Sequence, residues 1–311
     1  MPTTDPHRRR PSGRRRTRAT PRSRRTRRSP WLGCLTAVLV ALALVVGGAL
    51  LARLVPTVLP ERCAVTGEGA ASVRLTPEQA ANAATIAAVS VERGLPTRAA
   101  VIGIATAMQE SKLRNLDHGD RDSLGLFQQR PSQGWGTQAQ VQDPHYASQR
   151  FYDHLVKVGD WRQRPLTDVA QDVQRSGFPH AYAKHEPDAT ILAQAFAGDR
   201  AGAVTCSYDA PDPPATAAAR DAAAKDVADS LRAEFGVRPD VSQGRIVVRT
   251  RSERGARSIA AWAVAHARAH PTTTVSVGGR SWTRGRSDEA STWRADGDSG
   301  SGARTVVLGV Q

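Results

Sequence analysis

The chain has 311 residues, three cysteines and a formal net charge of +14. Residues 1–30 hold twelve arginines against one aspartate, which is +11 of that charge and leaves the other 281 residues at +3. A basic tail of this density would suit nucleic acid, because arginine neutralises phosphates and releases counterions, but its neighbour argues against that partner.

From Trp31 to Ala52 there are 22 residues without a charge, rich in Leu, Val and Ala. As a helix they span roughly 30 Å, the thickness of a hydrocarbon core. Arginines beside such a segment stay in the cytoplasm, so the expected arrangement is a cytoplasmic tail over 1–30, a transmembrane helix over 31–55 in contact with membrane lipid, and everything later outside the cell. The apolar run exceeds the roughly 7 to 15 residues of a signal peptide and ends in Ala52-Arg53-Leu54-Val55-Pro56, so the anchor is expected to be retained at the plasma membrane. One membrane segment cannot form a solute path by itself, which sets a transporter aside.

Cys34 falls within the apolar run, and Cys63 and Cys206 fall outside the membrane. An oxidising compartment makes a Cys63–Cys206 disulfide the expected state. Closing that loop removes unfolded-state entropy worth on the order of 5 kcal/mol in the chain-entropy treatment.

Residues 56–75, with Pro56 and Pro60, read as an extended spacer. A domain over 76–208 follows. Thr76-Pro77-Glu78-Gln79 combines an N-cap, a first-turn proline and a capping-box glutamine, and the Ala-rich helix it opens runs to Arg93 before Gly94. A second helix is expected from Thr97, with Val101, Ile104, Ala105 and Met108 on one face and Glu110 at its C-terminal end. The negative end of a helix dipole and burial against that apolar face both disfavour a carboxylate anion. A carboxyl that keeps its proton near neutral pH is what a general acid for glycoside cleavage needs.

Polar loops are expected over 117–125 and 131–136, the second carrying Trp135, and helices over 144–158, 167–175 and 187–197. No strand is expected between 76 and 205. Asp117, His118, Asp120 and Asp122 match no calcium-loop spacing and read as a polar turn. No metal or cofactor is expected.

Glu110-Ser111 at a helix end, followed by Ser123-Leu124-Gly125-Leu126-Phe127-Gln128, resembles the signature of soluble lytic transglycosylases and related lysozyme-fold proteins, especially a compact form common in actinobacteria. The similarity covers about residues 76–205. It implies a mainly α, lysozyme-like domain acting on peptidoglycan glycan strands, with Glu110 as the single catalytic acid/base. It further implies a sugar-binding cleft that draws on Ser111, Ser123, Gly125, Phe127, Gln128 and Gln129. By order along the chain, Gln174 and Tyr182 take the place of the family's later Tyr-Asn-Ala-Gly motif. Asp117, Asp120 and Asp122 leave a two-carboxylate hydrolase open beside a lytic transglycosylase. The competing class is a non-catalytic peptidoglycan-binding scaffold of a cell-envelope assembly.

A linker over 209–215 leads to a small α+β domain over 216–311. A helix is expected over 216–235, then a strand over 245–250, a helix over 252–270, and strands over 273–277 and 305–310. His266 and His270 lie four apart, but His266 shares a stripe with Ile259 and Trp262 and reads as packed and not as a metal ligand. This module is expected to bind glycan or dock a cell-envelope protein, with a structural cap as the alternative.

Overall fold

The computed structural model describes residues 40–47, 60–176, 180–287, 291–296 and 301–310. The chain forms two units, Met1–Val58 and Leu59–Gln311. In the first, residues 40–47 are helical (α1), and Val40, Leu42, Leu44, Val45 and Val46 are exposed along it. The rest of the expected span over 31–55 lies outside the described residues. Among the described residues no helix is long and apolar enough to cross a membrane.

The second unit corrects the expected fold class. In place of a mainly α lysozyme-like domain followed by a separate small α+β domain, residues 59–311 are one compact unit of helices and two antiparallel sheets. The first sheet has the order β2-β1-β3, from β1 (Arg62–Thr66), β2 (Ser72–Leu75) and β3 (Val204–Ser207). Residues 62–75, expected as a spacer, are thus a hairpin. Its tight turn bonds Gly67 N to Ala71 O at 2.8 Å, with Gly69 left-handed at φ 61°. Cys63 pairs with Cys206 in the β1–β3 register, and the two form a disulfide.

Two alanine-rich helices build much of the core. Helix α2 (Pro77–Glu92) opens on the expected Thr76/Gln79 capping box, and α3 (Thr97–Ser111) follows after a short turn. Small side chains let them approach closely: a Cβ on Gly103 would lie 2.9 Å from both Ile86 Cγ2 and Tyr152 Oη. Tyr152 belongs to α5 (Pro144–Leu155), which follows the single turn α4 (Gln138–Val141), and its hydroxyl donates to Ile86 O at 3.0 Å. Helices α6 (Leu166–Gln174) and α7 (Glu186–Phe196) complete this part, with α7 packed along α3.

After 209–215, which has no regular structure, come α8 (Ala217–Phe235), β4 (Asp240–Ser242), β5 (Arg245–Arg249), α9 (Glu253–Ala265), β6 (Thr272–Val277), β7 (Arg280–Thr283), β8 (Arg294–Ala295) and β9 (Thr305–Val310). The second sheet runs β4-β5-β9-β6-β7-β8. Ile246, Val248, Val275, Trp282, Val306 and Leu308 alternate into its covered face. Helix α9 is buried on nearly every side from Ser258 to Ala265, as a helix apolar all round must be. It meets β6 and β9 as well as α2, α7 and β3. Ser258 Oγ donates to Phe196 O at 2.7 Å, and Arg257 Nε donates to Gly198 O at 2.7 Å.

Candidate active site

Glu110 is the penultimate residue of α3 and is half-buried. Immediately beyond it the chain leaves the helix through two left-handed residues, Lys112 at φ 57° and Leu113 at φ 59°. Non-glycine residues in that region cost roughly 1–3 kcal/mol each and persist only where neighbours hold them. The neighbours here are two amides of α2. Gln79 Nε2 donates to Lys112 O at 2.9 Å, and buried Asn82 Nδ2 donates to Leu113 O at 2.8 Å. Gln79 therefore caps its own helix and also fixes the exit from the helix that carries Glu110.

Tyr182 Oη donates to Glu110 Oε1 at 2.7 Å. Tyr182 is fully buried on the turn before α7, and the packing of α7 on α3 brings it there. Burial pushes the Glu110 carboxyl above its ordinary value, and the Tyr182 hydroxyl, with the nearby Gln174 amide, pulls it partway back. The helix C-terminus acts in the same direction as burial. Burial, then the adjacent Glu110 charge, pushes the Tyr182 phenol well above its usual range, so it remains a donor. One residue before Glu110, Gln109 Oε1 lies 3.2 Å from His185 Nε2.

The glycine-glutamine loop is a tight hairpin in which Leu124 and Gln129 exchange both backbone hydrogen bonds at 3.0 Å. Gly125 takes φ 75°, and a Cβ there would sit 2.1 Å from Val141 O, so only glycine fits. The side chains that point inward serve the fold. Ser111 Oγ donates to Leu126 O at 2.7 Å and ties the end of α3 to the loop. Phe127 is fully buried and stacks on Phe151 with ring centroids 4.7 Å apart. Gln129 is buried and donates from Nε2 to Ala147 O at 3.1 Å. Ser123 is buried as well. The side chains of Ser111, Ser123 and Phe127 are therefore placed as supports, while Gln129 both braces the loop and lines the cleft. Gly125 acts by leaving room.

Gln128 and Gln174 also reach the cleft. Gln128, left-handed at φ 50°, donates from Nε2 to Gly125 O at 3.2 Å and lines the wall. Gln174, the last residue of α6, donates from Nε2 to Phe127 O at 2.8 Å. Its Oε1 is buried and lacks a hydrogen-bond partner among the described residues. The cleft is about 280 Å³ and also includes Arg130, Gln133, Trp135 and His154. Trp135 lies over His154 with centroids 4.3 Å apart. The loop holding Trp135 is clamped by Asp122, which accepts from Arg130 Nε at 2.8 Å, Ser132 N at 2.8 Å and Ser132 Oγ at 3.0 Å. Those bonds hold the Asp122 carboxyl far below its usual range.

The acids near Glu110 in sequence are thus engaged. Asp122 is the loop clamp, Asp117 Oδ1 lies 2.8 Å from His118 Nδ1, and Asp120 faces Arg121 at 4.0 Å. Among the described residues no group of three or more His, Cys, Asp or Glu side chains is arranged to hold a metal ion. His266 is packed: it stacks on Trp262 at 4.1 Å, and burial pushes it down to about 3.

Sequence reasoning missed Asn82, Asp172 and Arg175. Asn82 reads only as a polar residue in an alanine helix, and the cleft positions of Asp172 and Arg175 depend on how α6 docks. No protein-family model matches this chain, and no curated protein matches it.

Proposed function

We propose that this protein is an extracytoplasmic peptidoglycan-cleaving enzyme, a lytic transglycosylase or muramidase, held at the membrane by its N-terminal segment, with Glu110 as general acid and base. The observation that carries the reading is Glu110 itself: a carboxyl half-buried at a helix C-terminus, hydrogen-bonded by Tyr182 and close to Gln174, which with other glutamine amides and Trp135 lines a cleft.

The chemistry follows from the two charge states. Burial strengthens the hold of Glu110 on its proton, and the reaction uses the protonated form. The glycosidic oxygen takes the proton as its bond to the anomeric carbon breaks. The carboxylate left behind is stabilised by the Tyr182 hydroxyl. It then receives the proton of the nucleophile that attacks the anomeric carbon. A hydroxyl of the same sugar as nucleophile closes an anhydro ring, and water gives a reducing end. The pairing of Asp117, Asp120 and Asp122 with other side chains supports the route needing one carboxylate. Gln128 and Gln174 supply amide contacts to sugar hydroxyls, and the clamped Trp135 supplies a flat apolar surface.

The location rests on the arginines of residues 1–30, the uncharged run from Trp31 to Ala52, and the exposed apolar side chains of α1. The Cys63–Cys206 disulfide suits an oxidising compartment.

The test compares the full chain with Glu110→Gln on purified cell wall. The parent is expected to release soluble glycan, while the variant sediments with the wall and releases none. Equal release by both would remove Glu110 from the chemistry.

A further inference from the structure

The charges lining the cleft do not balance. Asp122 is neutralised by Arg130 at 2.8 Å, and Asp172 by Arg164 Nη1 at 2.8 Å. His154 is held below its ordinary value by burial and then by Arg150 and Lys157, so it is neutral at neutral pH. Arg175, next to Gln174, lines the same cleft, is exposed, and has no ion pair or side-chain hydrogen bond among the described residues.

The backbone at Arg175 adds a second, independent observation. It is the C-cap of α6 and stands left-handed at φ 52°, where glycine is the unstrained choice. A long cationic side chain at a position that favours glycine points to a use for the side chain.

We propose that this cleft binds a carboxylate on the peptide substituent of the glycan, with Arg175 pairing to it and the Trp135–His154 stack walling the site. This rests on the peptidoglycan reading and narrows its substrate to strands that still carry acidic peptides. The guanidinium presents two parallel N–H groups to a carboxylate, a geometry that an amidated peptide does not match.

The test uses the full chain carrying Glu110→Gln, so that no turnover intervenes. Its ligands are a disaccharide–peptide fragment with free carboxylates and the same fragment with those carboxylates amidated. The free acid is expected to bind roughly three- to tenfold more tightly, with the preference shrinking at high salt. Adding Arg175→Gly is expected to abolish the preference without lowering Tm, because glycine relieves the left-handed backbone. Arg175→Lys is expected to keep part of it. Equal binding of the two fragments, or a preference that survives Arg175→Gly, overturns this proposal alone. Binding of neither fragment overturns it together with the peptidoglycan reading.

Discussion

A carboxylic acid that must give up a proton and then recover it needs surroundings that tolerate both charge states, and Glu110 has contacts of each kind. Burial favours the acid, and the Tyr182 hydroxyl at 2.7 Å favours the anion. Tyr182→Phe removes only the second influence, so the Glu110 pKa should rise further. An enzyme that needs the protonated acid loses activity as pH passes above that pKa. The high-pH limb of kcat/KM is therefore expected to move upward in Tyr182→Phe, while kcat falls because the carboxylate loses its donor. A limb that stays in place would detach Tyr182 from Glu110. Both residues were legible in the sequence, but for unequal reasons. Glu110 could be placed at a helix end from the periodicity alone. Tyr182 was reached by order along the chain, and its contact with Glu110 depends on α7 packing against α3. Phe127 could not be sorted from Gln128 and Gln129 by pattern, because in a six-residue hairpin no period separates inward from outward side chains.

At the scale of elements, two junctions carry testable weight. The first is the left-handed exit from α3. Asn82→Ala leaves the buried Leu113 carbonyl without its 2.8 Å donor, which is expected to cost roughly 1–3 kcal/mol. Chemical denaturation would show that loss, and activity should fall by more than the folded fraction if the turn also positions Glu110. The second junction joins α2, α8 and α9. Glu234 Oε1 accepts from Thr85 Oγ1 at 3.0 Å, and the same hydroxyl lies 3.4 Å from His266 Nε2. Burial, reinforced by Asp143, pushes Glu234 up to about 7. Its folded pKa is above the unfolded value of roughly 4.3. The stability it contributes is therefore complete below the unfolded value and is lost as pH rises through about 7. Glu234→Gln is expected to raise Tm at pH 8 and to change it little at pH 4. A gain of the same size at both values would contradict the assignment. The helices were read well because capping boxes, first-turn prolines and long apolar stripes leave local marks. Strands β1 and β2 were missed: five and four residues are too few for alternation at Cys63/Val65 and Val73/Leu75 to stand out, and the pairing of β1 with β3 spans more than a hundred residues of chain.

At the scale of the whole molecule, the sequence suggested two extracellular modules because 209–215 has the composition of a linker. The segment has no regular structure, yet α9 beyond it is an interior helix for both halves, touching α2 and α7 as well as β6 and β9. Nothing local marks such a helix as shared, since an all-apolar face is the same whichever element covers it. Proteolytic nicking within 209–215 is expected to leave the two fragments together in gel filtration under native conditions, with the Cys63–Cys206 bond lying wholly in the first. Separation of the fragments would show that the packing across α9 does not hold them.

Mass spectrometry of purified peptidoglycan incubated with the full chain, alongside Glu110→Gln, tests the central claim most directly. Glycan fragments with anhydro ends, made by the parent and not by the variant, are the expected result, and reducing ends in their place would assign a muramidase. Intact glycan from both proteins, each still sedimenting with the wall, would contradict the enzyme and leave a peptidoglycan-binding scaffold.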